Sequence, residues 1–273
     1  MIDKKQQEEL RQRYNPDGSQ LRAMQLQLLE ILKVVDDICR HNNIIYWLAS
    51  GTLLGAVRHG GFIPWDDDID IEILRKDRKR FIAAFNRELP SNLHLQYHKE
   101  EPNYYLNILK VRDDSSDIGE KVHLGKKGDY ESNYKYRGYF IDIFCVEPCV
   151  PIFLKISNRF LNWILIMRYM KRKGFLLCHF MWIIMETLNN IFRFVGLFFS
   201  DDNYLYQGLS SCFGVKYRYN KKYVKQVRSI FFEGYEFYAP IDSDGYLKDM
   251  YGDYLQIPPE ILRLSHHSTL SES

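Results

Sequence analysis

The sequence predicts an α+β fold, strands flanked by helices with a basic, apolar helical region inserted late in the chain. Three observations lead to it. Between Asp66 and Ile73, carboxylates and isoleucines alternate with period two, as in a strand that buries one face. Leu21, Met24, Leu28, Leu32, Val35 and Cys39 recur at helical spacing, which marks an amphipathic helix. From 151 to 200, long apolar runs carry seven Lys or Arg against a single acid, Glu186, a composition found nowhere else in the chain.

The elements follow in order. MIDKKQQEELRQRYN is polar and lacks the apolar stretch of a secretory signal, so an N-terminal extension precedes the first long helix. Ile44 to Leu48 reads as a strand, the small residues Ala49 to Thr52 as a tight turn, and LLGAVRH as a helix. A turn of small residues leaves backbone N–H groups open at a helix start, where a phosphate can sit. After the acidic strand, Lys76 to Glu88 reads as a helix that stops before Pro90, and LHLQYHKE and YYLNILKVRD as paired strands. Lys110 and Arg112 project to one face of the second. Asp113 to Tyr136 is a polar, glycine-containing loop suited to covering a site. Val227 to Tyr238 reads as a hairpin turning at Glu233 and Gly234, followed by YLKDMYGDYLQIPP.

Asp66, Asp68, Asp70 and Glu72 are spaced two apart and share the polar side of the predicted strand. Neighbouring carboxylates raise one another's pKa, so aligning them at neutral pH calls for a cation. Oxygen ligands reach Mg²⁺ at about 2.1 Å, which lets adjacent same-face aspartates close on one ion or bracket a pair. A solvated acidic edge strand is the bland alternative, and the regular isoleucines between the acids argue against it. A calcium-binding loop fails because Ile71 stands where its glycine would be and Asp77 where its glutamate would be.

Composition sets the frame. A chain of 273 residues, 46% hydrophobic, is long enough for one large domain or one domain with an appendage. A net charge of +2 gives no case for a nucleic-acid polymer as partner. Five irregularly spaced cysteines argue for a reducing compartment, hence the cytoplasm. The longest run without formal charge in the 151–200 region, GFLLCHFMWIIM, has twelve residues, short of the roughly 20 a spanning helix needs. That leaves two readings for the region: basic amphipathic helices lying on an anionic membrane surface, or a helical subdomain packed on the core.

GTLLGAVRHGGFIPWDDDIDI resembles the signature of the LicD family of phosphotransferases, relatives of fukutin and fukutin-related protein within the nucleotidyltransferase-fold superfamily. RGYFIDIFCVEP supplies Asp142 as the third acid on a neighbouring strand, and FFEGYEFYAPIDSDGYLKDMYGDYLQIPPE is similar to the family's closing motif. The resemblance implies a nucleotidyltransferase-like mixed sheet, with an extension at 1–19, a catalytic core at 20–150, a helical insertion at 151–225, a return to the core at 226–267 and a tail at 268–273. It implies Mg²⁺ or Mn²⁺ held by Asp66, Asp68, Asp70 and Asp142, with Asp142 either a ligand or the base for the acceptor hydroxyl. Gly51 and Thr52 would hold phosphates, Lys110 or Arg112 would offset their charge, and Arg58 and His59 would touch phosphate or substrate. Trp65 either stacks on a ring or packs. The implied reaction passes phosphocholine or a polyol phosphate from a CDP-activated donor to a hydroxyl of a glycan, free or lipid-linked, at the inner face of the membrane. A nucleotide-sugar glycosyltransferase, which also uses Asp-x-Asp, and a non-catalytic membrane-surface protein are the alternatives.

Overall fold

The computed structural model describes residues 3–211, 214–215 and 217–263; the tail expected at 268–273 lies outside the described residues. In chain order the elements are α1 (Lys4–Tyr14), α2 (Gln20–His41), β1 (Tyr46–Leu48), α3 (Ser50–His59), β2 (Asp70–Leu74), α4 (Arg78–Glu88), β3 (Leu93–Gln96) and β4 (Leu109–Asp113). There follow β5 (Lys121–His123), β6 (Asp129–Glu131), β7 (Phe140–Val146), α5 (Pro151–Leu165), α6 (Phe175–Phe199), β8 (Tyr204–Tyr206), β9 (Arg218–Asn220), β10 (Val227–Phe232), β11 (Tyr235–Pro240) and α7 (Ser243–Tyr251).

A five-stranded sheet in the order β1-β2-β7-β4-β3 forms the centre. β2 and β7 run parallel and the other three pairs antiparallel, so the sheet is mixed and, flanked by helices, gives the expected α+β fold. Ile71, Ile73, Val111, Ile141 and Ile143 are fully buried, as are Leu28, Leu32 and Val35 of α2 and Phe81 and Phe85 of α4 in the same core. Each such side chain contributes about 1.5–3 kcal/mol by leaving water. Ser19 starts α2, its hydroxyl accepting the Arg22 N–H at 3.2 Å, as an N-cap serine does.

Register across the sheet places three charged residues in one row. Asp70 on β2 lies opposite Asp142 on β7, and Asp142 lies opposite Lys110 on β4. Strands sit about 4.8 Å apart, so the row brings side chains more than seventy positions apart in sequence within reach of one another.

Two expectations are corrected. Regular pairing begins at Asp70, not at Asp66, because the Asp70 N–H is taken by the Thr52 hydroxyl at 2.8 Å and residues 66–69 form the approach to the strand. Asp66 and Asp68 therefore stand before the strand, ahead of Asp70. The exclusion of a membrane-length helix from the twelve-residue run also fails. α6 is one continuous helix of 25 residues, long and apolar enough by length and composition to cross a membrane, and only 22% of its most apolar window is buried. Counting charge-free residues missed it because Glu186 and Arg193 turn toward partners on one side, Asn189 and Glu147 respectively.

Candidate active site

The β1-to-α3 turn and the approach to β2 meet at the N-terminal ends of β2 and β7. Ser50 adopts a left-handed conformation, φ 46°, and its N–H points at the Tyr246 hydroxyl, 3.4 Å away. Next to it Gly51 touches the acidic approach: a Cβ at this position would lie 2.8 Å from Asp66 Oδ2. The Gln25 side chain, reaching down from α2, donates to the Asp66 carbonyl at 2.8 Å and fixes the approach from the other side.

Around these residues opens a cavity of roughly 500 Å³. Asp66, Asp68, Asp70 and Asp142 line it together with Ser50 and Gly51. Burial pushes the carboxyls of Asp66 and Asp70 well above the usual carboxylate range, and Asp68 pushes both further. Asp142 and Glu72 add to the effect at Asp70. Lys110 brings its Nζ to 2.8 Å from Asp142 Oδ1 and 3.5 Å from Glu120, and lies over the Phe140 ring at 3.3 Å. Phe140, Phe144, Tyr217 and Tyr251 supply aromatic wall. The Tyr251 hydroxyl is pushed far up by desolvation and then by Asp70, Asp66 and Asp68.

An all-oxygen set of four carboxylates, two of them held above their normal range by burial and mutual repulsion, suits a hard divalent cation. Among the described residues no three ligating side chains are already gathered at metal distance. It is the donor chemistry, carboxylate oxygens only, that fits Mg²⁺ or Mn²⁺ here.

Glu72, the fourth acid of the alternation, has another job. It is fully buried and accepts from Trp47 Nε1 at 2.8 Å, Tyr219 OH at 2.6 Å, Tyr246 OH at 3.3 Å and Gln207 Nε2 at 3.4 Å. Its carboxylate joins the sheet to the C-terminal segment.

Five residues expected to touch substrate do not line the cavity. Thr52 is 3% exposed, its hydroxyl committed to the Asp70 N–H. The Arg58 guanidinium, also buried, donates to the Tyr254 and Gln256 carbonyls at 2.9 and 3.1 Å, and burial lowers its pKa to about 10. His59 contacts Gln7 at 2.6 Å, and burial followed by Arg58 lowers its pKa to about 3. Trp65 packs edge-on to Tyr14 with ring centres 5.4 Å apart. Arg112, fully buried, donates to the Gly138 carbonyl at 2.9 Å and pairs with Glu120. Of the K-V-R pair, the cavity therefore takes Lys110.

Sequence reasoning missed Glu120 and Ser50. Nothing in the loop 113–136 singles out Glu120, and its position is set by Arg112 and Lys110 from the neighbouring strand. Ser50 belongs to the small-residue turn, and its left-handed backbone is not readable from residue type.

Residues 43–144 match the family described as LicD/FKTN/FKRP, nucleotidyltransferase domain. Across 264 residues the chain is 29% identical to the lipopolysaccharide cholinephosphotransferase LicD of Haemophilus influenzae, covering 90% of this chain and 96% of that protein. Residues 43–144 are thus similar to a LicD-type nucleotidyltransferase domain. Human ribitol 5-phosphate transferase FKRP is 44% identical over 50 residues, 18% of this chain and 10% of FKRP. Mouse ribitol-5-phosphate transferase FKTN is 28% identical over 138 residues, 45% of this chain and 30% of FKTN. The LicD domain holds every acid of the cavity described above, so the site sits in the part of the chain that defines the family.

Proposed function

We propose that this chain is a LicD-type, metal-dependent phosphotransferase that moves a phospho-headgroup, phosphocholine or a polyol phosphate, from a CDP-activated donor to a glycan hydroxyl. The observation that carries the reading is the row Asp70, Asp142 and Lys110 across three adjacent strands, facing Gly51 and Asp66 over one cavity. The relatives named as cholinephosphotransferase and ribitol 5-phosphate transferases support the class of group transferred.

Asp66, Asp68 and Asp70 would hold a divalent cation, which would supply positive charge to offset the negative charge of the donor's diphosphate. The Gly51 backbone, with no Cβ beside it, leaves room for a phosphate next to Asp66. Asp142 has Lys110 at 2.8 Å, so of the four carboxylates it depends least on a metal, and in this reading it would take the acceptor hydroxyl's proton and not a metal. The acceptor oxygen bonds to phosphorus, CMP departs with the electrons of the broken P–O bond, and the proton ends on Asp142. Lys110, held over Phe140 and beside Glu120, keeps that carboxylate oriented.

The test is to incubate the protein with Mg²⁺ and a panel of CDP- and UDP-activated donors and to measure nucleotide release. CMP release from CDP-choline or a CDP-polyol, lost in Asp68→Asn and Asp142→Asn, is the expected result. UDP release from a UDP-sugar with all CDP donors inert would establish a glycosyltransferase instead.

A further inference from the structure

The region 151–200 exposes more large apolar side chains than all the other described residues together. On α6 they fall at Leu176 (80% exposed), Phe180 (61%), Ile184, Ile191, Phe194 (64%) and Phe198 (72%). Steps of three, four and seven keep them on one stripe, which runs about 33 Å along the helix. α5 adds Ile152, Ile156 and Trp163, the last 52% exposed.

The other side of α6 is tied to the protein at three points. Near its start His179 meets His98 at 3.0 Å, in the middle Asn189 donates to Ser210 at 2.9 Å, and near its end Arg193 holds Glu147 at 3.0 Å. A helix fixed at three levels to a polar domain cannot thread a bilayer, because the domain would have to enter the hydrocarbon with it. The stripe can meet a membrane only side-on. Its surroundings are cationic: Lys171, Arg172 and Lys173 form the exposed turn between the helices, and Lys155 and Arg159 stand exposed on α5. The one acid of the region, Glu186, accepts from Asn189 at 3.0 Å on the tethered side.

We propose that the α5–α6 hairpin is an interfacial docking surface for a bilayer containing anionic lipids. The helices lie in the membrane plane, the stripe sinks among the upper acyl chains and Lys171 to Lys173 pair with the headgroups. Charge complementarity selects this occupant: an apolar stripe rimmed by five cations matches an anionic lipid surface.

The test uses the full chain with unilamellar vesicles of phosphatidylcholine alone or of phosphatidylcholine and phosphatidylglycerol. The protein should float with the anionic vesicles and release at 0.5 M salt, roughly a Debye length of 4 Å. Replacing Lys171, Arg172 and Lys173 by Gln should lower partitioning roughly a hundredfold, and Phe180→Ser with Phe194→Ser at least about tenfold. All five positions are exposed, and near-UV circular dichroism identical to the parent confirms that the variants fold. Trp163 gives a second readout: Trp47 and Trp65 are buried and Trp182 is half-buried against the His98 ring, so vesicles should blue-shift the emission of the parent, and Trp163→Phe should lose most of that shift. Three results would overturn the proposal. The parent stays in solution with both vesicle types; the variants float as well as the parent; or the parent is a dimer that Phe180→Ser with Phe194→Ser dissociates, with no vesicle binding, which makes the stripe a contact between copies.

Discussion

Replacing Gly51 by alanine separates the chemistry of the site from the stability of the fold. The added Cβ would stand 2.8 Å from Asp66 Oδ2 and 3.8 Å from its Cγ, about 0.6 Å inside ordinary carbon–oxygen contact. Gly51 is absent from the glycines with positive φ, so alanine meets no backbone strain, and within the first turn of α3 it favours the helix by about 0.5–1 kcal/mol. The carboxylate must rotate away by roughly half an ångström, which at a reacting centre costs on the order of ten- to a hundredfold in rate. Gly51→Ala should therefore melt at or slightly above the parent temperature while CMP release with Mg²⁺ falls ten- to a hundredfold. A rate within twofold of the parent would refute the placement of Asp66 in the reaction, and a parallel loss of melting temperature would show that the glycine serves the fold.

Asp70→Asn removes one of the repelling buried carboxylates, so in chelator the variant should gain about 1 kcal/mol, a rise of roughly 2–4 °C in melting temperature, while donor turnover disappears; a lower melting temperature would count against repulsion at that position. Tyr219→Phe deletes the 2.6 Å hydrogen bond to buried Glu72 and should cost about 1.5–3 kcal/mol in urea unfolding, with a cost below 0.5 kcal/mol showing that the other three donors suffice. His98 contacts the Tyr104 carbonyl through Nδ1 at 2.9 Å and His179 through Nε2 at 3.0 Å, and burial lowers its pKa to about 4. The folded state therefore binds its proton less readily than the unfolded chain: the contribution is complete above about pH 6.5 and is lost as pH falls toward 4, by up to about 3 kcal/mol. Comparing urea midpoints of the parent and His98→Gln at pH 7 and pH 4.5 checks this, the variant losing less on acidification.

The parts of the fold that repeat at short range were legible in the sequence. The α2 stripe, the strand pair β3 and β4, the hairpin β10 and β11, and the turn into α3 follow from spacing and punctuation alone. Asp70 and Asp142 were legible as a pair through the family's motif, and the parallel register of β2 with β7 brings them together. Function assigned by proximity in sequence fared worse. Thr52, Arg58, His59 and Trp65 flank the motif, yet each is taken by packing or by partners from elsewhere: Asp70, the 254–256 carbonyls, Gln7 and Tyr14. Local pattern cannot tell a side chain that faces a cavity from one that binds the segment closing over it. Glu120 shows the reverse case, an unremarkable loop acid that two basic residues of the next strand draw to the site.

The setting of Glu72 bears on how the protein comes to be active during synthesis. Its four donors come from Trp47 on one side and from Gln207, Tyr219 and Tyr246 on the other. A ribosome-bound chain that has made β2 but not yet residues 207–246 holds a carboxylate next to the cavity acids with three of its four partners still missing. Burying it in that state leaves a charge short of hydrogen bonds, which is strongly unfavourable. The acidic end of the sheet is thus completed only when the last quarter of the polypeptide has emerged, and a product truncated before Tyr219 would be released with its centre unassembled.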